Sequence, residues 1–223
     1  MKNLLRIARA ATSAARIVRN PSRLDEVFQL ADALADSKIL QAMAESLAKD
    51  PGAARSFVDM PRIGTVDLAE LRKLPKHTLG RAFAEHMITN GLNPSALPSM
   101  NARDRESFLR AHLYETHDVW HVVTGFTTDV PGELGLQAFY LAQFPARLST
   151  ALVALGLLNV LLFRFEECDE RMRAIVRGWL LGKRAKPLFG ARWADMWATP
   201  LEDVRRAFGI DITSLEAALT VAA

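Results

Sequence analysis

Three side chains within five residues, His117, Asp118 and His121, have the types and spacing to hold a divalent metal. In a helix His117 and His121 stand at i and i+4, so they project from the same face one turn apart. Two neutral imidazoles aimed at one point are a natural grip for such an ion. Asp118 lies on the adjacent row, which makes the three a triangular patch. Glu133 follows twelve residues after His121. The short connection between them turns the chain back and is expected to bring Glu133 beside the pair as a hard oxygen ligand. Two nitrogens with one or two carboxylates leave open positions on the metal, the style of a catalytic site rather than a closed structural one. Both carboxylates together neutralise a dication, which suits a site away from water. Each carboxylate also has a role without metal. Glu133 in a first helical turn favours the macrodipole, and Asp118 can orient a histidine as an acceptor.

The elements that must carry this patch are helical. The spacing predicts a helix over 102–124, opened by Asn101 with Asp104 and stopped by Gly125, and a second starting near Pro131 at its N1 position. Upstream, Ser22 with Asp25 reads as a capping box before the periodic run Leu24 to Leu34. Further helices are expected over 38–49, ending before Asp50-Pro51-Gly52, over 65–74, ended by Pro75, and over 78–89, closed by Asn90-Gly91. Residues 90–101, with Gly91, Pro94 and Pro98, read as a loop. Leu148 through Phe163 are 16 residues without a charge, bracketed by Arg147 and Arg164. That is short of the roughly 20 needed to span a bilayer, so a buried central helix is expected. A helix over 166–182 follows. Thr199-Pro200-Leu201-Glu202 and Thr213 to Glu216 read as capping boxes. No alternating strand of convincing length and no internal repeat is visible. The expected fold is all-α, a single compact multi-helix domain over 1–223 with a central apolar helix.

Composition narrows the function. Half of the 223 residues are hydrophobic and 24% are charged, the balance of a globular chain rather than a disordered one. The lone Cys168 excludes an intramolecular disulfide and a thiolate-rich zinc site, and reads as a small buried side chain in a reducing compartment. The net charge of +3 is mild, but residues 1–24 carry Lys2, Arg6, Arg9, Arg16, Arg19 and Arg23 and no acid. Residues 1–20 are therefore a basic amphipathic segment, either a surface for an anionic membrane or an ordinary first helix with a solvated basic face. Arg6 and Arg9 interrupt the apolar run before it reaches the length of a secretory signal. There is no phosphate loop, no dinucleotide fingerprint and no basic stripe with aromatics for nucleic acid. His77, His86 and His112 fit no ligand spacing and read as surface or satisfied core histidines. Trp179, Trp193 and Trp197 read as packing anchors.

The pattern His117-Asp118-x-x-His121, eleven residues, Glu133 resembles the signature of the ubiquinone (coenzyme Q) biosynthesis protein 4 family. Glu115 to His121 resembles that family's helix, Gly125 to Asp129 with Gly132-Glu133 its connecting loop, and Leu74 to Gly80 a segment before the motif. Gly182 to Leu188, Trp193 and Thr199 to Arg205 resemble its C-terminal signature. Together these cover roughly residues 65–210, and Pro131 is a local variation.

The resemblance implies an all-helical protein peripheral to the membrane where ubiquinone is made. It implies a divalent metal, usually zinc, on His117, Asp118, His121 and Glu133 as the catalytic set, with iron, manganese, cobalt or magnesium left open. The implied reaction is oxidative decarboxylation of a 4-hydroxy-3-methoxy-5-polyprenylbenzoate, with hydroxyl replacing the carboxyl group at C1. Implied partners are that precursor, the other enzymes of the pathway, the membrane surface and, as an open oligomeric state, a homodimer. A non-catalytic prenyl-lipid scaffold with a structural metal is the alternative. A zinc hydrolase fits poorly, because Asp118 stands where a longer glutamate base would be needed. The short leader favours the cytoplasmic face of a bacterial inner membrane over the mitochondrial matrix side, where residues 1–20 would be a targeting remnant.

Overall fold

A computed structural model describes residues 2–94 and 100–221. Twelve helices follow in order: α1 (Lys2–Arg19), α2 (Leu24–Leu34), α3 (Ser37–Leu47), α4 (Pro51–Asp59), α5 (Leu68–Leu71), α6 (Leu79–Thr89), α7 (Arg105–Thr124), α8 (Val130–Gln143), α9 (Arg147–Phe163), α10 (Cys168–Arg184), α11 (Leu201–Phe208) and α12 (Ile212–Val221). The all-α expectation holds. Among the described residues there is no strand, and an isolated antiparallel bridge joins Thr78 and Pro200. The expected loop over 90–101 falls partly on residues 95–99, which lie outside the described residues. The chain divides into two compact units, residues 1–40 with 127–183 and residues 41–126 with 184–223.

Several helix starts differ from the sequence expectation. At α2 the box residue Ser22 does not cap. Its own N–H is taken by the Asn20 side chain, Arg23 occupies the cap position, and its guanidinium folds onto Asp25. α4 was not expected at all, yet Asp50 accepts from the Ala53 N–H at 2.9 Å with Pro51 in the first turn, a complete start signal. The helix expected over 65–74 shrinks to α5, capped by Asp67. α7 starts at Arg105 under a capping box of Asp104 and Ser107, three residues later than expected. At α11 Thr199 does not cap. Its carbonyl accepts the Leu79 N–H while the Leu201 N–H goes to His77, so the extended pairing with residues 77–79 competes with the box and prevails. α12 is opened by Asp211, which accepts from the Ser214 N–H, rather than by Thr213.

In the first unit, α9 corrects the expectation of a buried central helix. It buries one stripe, Ser149, Gly156, Asn159 and Val160. Leu161 is 65% exposed, and Leu158, Leu162, Phe163 and the following Phe165 are exposed with it. The absence of charge over 148–163 therefore marks an apolar surface as well as a core stripe. Among the described residues no helix is long and apolar enough to cross a membrane. α1 packs on α2 and α9 through Ser13, Ile17 and Val18, which leaves Leu5 and Ile7 exposed. A buried polar network ties these helices. Asn159 donates to the Val18 carbonyl at 2.7 Å, and Arg171, 3% exposed, donates to Asn159 at 2.8 Å and pairs with Glu167 at 2.6 Å. α8 and α10 approach so closely that a Cβ at Gly178 would overlap the Gly135 carbonyl. Cys168 is half-buried rather than core, and Trp179 is exposed beneath Lys183 rather than a packing anchor.

The core of the second unit gathers Leu79, Phe83, Phe108, Leu109, Trp120, Val123, Leu188 and Trp193. α6 is fixed at its start by Leu79 N–H to Thr199 and Gly80 N–H to Trp197, at 2.9 and 2.8 Å. Phe83 packs against Trp197 with ring centroids 5.1 Å apart.

Candidate metal centre

α7 carries the patch, and its geometry follows from how both ends are held. At the start, Asp104 and Ser107 satisfy first-turn donors. At the end, Gly125 takes φ 71°, the left-handed conformation a glycine adopts without strain, and its N–H returns to His121. The Arg205 guanidinium from α11 then donates to the Val122 and Val123 carbonyls at 3.0 and 2.9 Å, which answers two acceptors that a helix end leaves open. Val119, Trp120 and Val123 are fully buried, so the helix cannot roll about its axis.

On this fixed helix His117, Asp118 and His121 bring one ligand atom each within 4.8 Å of one another. His121 is buried, 1% exposed, while His117 and Asp118 are half-buried. His121 Nδ1 lies 3.0 Å from the Phe126 carbonyl, which can only accept. The proton therefore sits on Nδ1, and Nε2 keeps its lone pair. That Nε2 is 3.2 Å from the Nε2 of His117. Two nitrogens each about 2.0–2.1 Å from a tetrahedral zinc stand about 3.3 Å apart, so the spacing fits a shared ion. The donor set of two imidazoles and a carboxylate suits zinc and equally non-haem iron.

Glu133 sits in the first turn of α8, in the other compact unit. Its helix is opened by Asp129, which accepts from Gly132 N–H at 2.8 Å and from the Thr127 hydroxyl at 2.8 Å. A Cβ at Gly132 would overlap the Thr127 carbonyl, so the turn that leads to Glu133 needs a glycine there. The structure thus groups three of the four sequence candidates.

The remaining histidines separate. His77 is exposed, and only its carbonyl has a role, accepting from Leu201. His112 is the satisfied core histidine expected, 1% exposed among Phe108 and Phe189. It donates from Nδ1 to the Pro61 carbonyl at 3.1 Å and accepts the Gly190 N–H on Nε2 at 3.0 Å. Burial pushes its pKa down to about 4, against the opposing pull of the Pro61 carbonyl and Glu115. Beside it Arg62 grips Glu115, Nε to Oε2 at 2.9 Å, which ties the segment after α4 to the patch helix. His86 is the member that sequence reasoning missed. It belongs to α6, and its ring stacks on that of His121, centroids 5.6 Å apart. Its separation of 35 residues from His121 carries no spacing signal.

Known proteins resemble this chain in sequence and fold. The family model described as coenzyme Q (ubiquinone) biosynthesis protein Coq4 matches residues 1–214. The chain belongs to the Coq4 family. It is 30% identical over 211 residues to the mitochondrial ubiquinone biosynthesis protein coq4 of Aspergillus fumigatus, covering 92% of this chain and 72% of the relative. The Aspergillus niger protein of the same description is also 30% identical over 211 residues, covering 92% and 71%. A crystal structure from Nostoc punctiforme PCC 73102, described as a candidate ubiquinone biosynthesis protein, superposes with a TM-score of 0.80. Its identity is 28% over 92% of this chain and 98% of that one. This Coq4-family chain is therefore a ubiquinone biosynthesis protein, and the Arg205 that closes its histidine helix lies within the C-terminal segment that resembled the family in sequence.

Proposed function

We propose that this Coq4-family protein is a metal-dependent enzyme that replaces the C1 carboxyl group of a 4-hydroxy-3-methoxy-5-polyprenylbenzoate with hydroxyl. The observation that supports it best is the pair of Nε2 atoms 3.2 Å apart, with the second nitrogen of His121 held by Phe126. In this reaction the bond from ring carbon to carboxyl breaks and carbon dioxide leaves, a hydroxyl whose oxygen comes from water takes its place, and the two electrons and two protons released reduce dioxygen to hydrogen peroxide. A bound divalent ion, zinc first and iron, manganese, cobalt or magnesium as alternatives, would supply Lewis-acid polarisation of the substrate's oxygens.

The chain's own residues have separable tasks. His117 and His121 offer nitrogen donors on one face. The Phe126 carbonyl keeps His121 in the tautomer that can bind. Asp118 adds a hard oxygen and one negative charge. Glu133 is proposed as the fourth ligand on the spacing of the signature. The polyprenyl tail of the substrate calls for an apolar phase, and exposed Leu161, Leu162, Phe163 and Phe165 supply apolar surface for peripheral contact with a membrane. Action beside the other enzymes of the pathway, at the cytoplasmic face of a bacterial inner membrane, belongs to the same proposal.

The test is metal content by elemental mass spectrometry on wild type, His121→Ala and Glu133→Ala, followed by incubation of each with a C1-carboxyl-labelled prenylated hydroxybenzoate in air. Near-stoichiometric metal in the wild type, lost in both variants, with label release that follows the metal, is the expected result. Stoichiometric metal with no label release would replace the enzyme by the prenyl-lipid scaffold. Full label release from metal-free His121→Ala would overturn the role of the centre.

A further inference from the structure

The metal reading accounts for His117 and His121 but leaves a third imidazole in line with them. His86 stacks on His121 with ring planes 24° apart, and His121 meets His117 edge-on at 90° with centroids 4.8 Å apart. The three rings form a series from α6 into the patch on α7.

α6 delivers the His86 ring from a rigid base. Its start is pinned to residues 197–199 by two backbone hydrogen bonds, and a Cβ at Gly80 would collide with Leu74 and Trp197. Phe83 and Met87, at i−3 and i+1, are fully buried. The carbonyl of His86 accepts from the backbone and side chain of Asn90 at 3.2 and 2.8 Å, which closes the helix one turn later. The backbone from which the ring projects is therefore held at both ends of the helix.

A metal-binding imidazole has two soft motions, rotation about its long axis and tilt out of plane. The bond from His121 Nδ1 to the Phe126 carbonyl restrains the ring at one edge only. A second ring lying nearly parallel to its face restrains the rotation. Hydrogen-bonding partners outside the ligand set that fix ring orientation are typically worth about 10- to 100-fold in metal affinity, and a stacked ring acts on the same orientation. We propose that His86 is a positioning residue for the metal centre, holding the plane of His121 by stacking. The inference rests on the metal-binding role proposed above.

Cobalt(II) titration tests it, with affinity read by competition against a chromophoric chelator and geometry by the visible absorption of the bound ion. The set is wild type, His86→Ala, His86→Gln and His86→Phe, each with its melting temperature measured free of metal. The Phe variant keeps a ring and removes the nitrogens. Expected is a loss of about 10- to 100-fold in affinity and an altered cobalt spectrum for Ala and Gln. His86→Phe should bind close to wild type, and the metal-free melting temperatures should stay together. Should Ala not fold, Gln carries the comparison. Wild-type affinity and spectrum in folded Ala or Gln would overturn this proposal and leave the metal centre standing. A Phe variant as weak as Ala would overturn stacking in favour of a ring nitrogen acting directly. A wild type that takes up no cobalt would overturn the metal centre, and this inference with it.

Discussion

Acid should loosen the second unit through one residue, His112. Its Nδ1–H is given to Pro61 and its Nε2 receives the Gly190 N–H, so protonation would set two donors against each other. The ring has no water to turn to, enclosed by Phe108 and Phe189. Its folded pKa of about 4 lies below the ordinary histidine value of 6.5, so between those values the unfolded chain binds more protons. The stabilisation is fully present above pH 6.5 and is lost as pH falls through about 4. The whole window is worth about 3 kcal/mol, and about 2 kcal/mol is gone by pH 5. The perturbation is His112→Phe, which fits the aromatic cluster and strips Pro61 and Gly190 of their partner, at a cost of about 2–5 kcal/mol at neutral pH. Urea unfolding of both proteins, free of metal, from pH 7.5 to 5 reads the effect. The gap between them should narrow by about 2 kcal/mol toward pH 5, because every other titrating group cancels in the difference. Parallel curves would refute the neutral, two-sided histidine.

Arg171→Ala should cost about 1–3 kcal/mol by urea unfolding, because it strips the buried Asn159 amide oxygen of its donor, while Glu167 is a third exposed and keeps Arg164 nearby. A value near zero would show that the network adds nothing. Replacing Leu161, Phe163 and Phe165 together by Ser should abolish co-sedimentation with vesicles while leaving the circular dichroism and melting temperature unchanged, since all three are exposed. Undiminished co-sedimentation would exclude that surface.

What the sequence revealed about the site was its local part. Helical spacing suffices to put His117, Asp118 and His121 on one face, because i, i+3 and i+4 relations are fixed by the helix itself. His86 was invisible because ring stacking between α6 and α7 depends on packing, not on spacing. The helix end at Gly125 was legible because a glycine takes the left-handed conformation there without strain. Expected caps failed at Ser22, where Arg23 takes the cap position without a side-chain cap bond, and at Thr199, where the 77–79 backbone pairs with the chain instead. The charge-free run at 148–163 announced a helix correctly. It did not announce which side faced solvent, because a uniformly apolar helix has no polar face to mark the outside.

The two compact units are each stitched from separated stretches of chain, 1–40 with 127–183 and 41–126 with 184–223. During synthesis neither can close in the order it is made. The opening helices wait for residues past 127, and the histidine helix lacks the guanidinium that finishes it until residue 205 emerges. A chain halted anywhere before residue 205, in the last tenth of its length, therefore has an unfinished histidine helix. Completion of the helix that carries His117, Asp118 and His121 is thereby deferred to the end of translation.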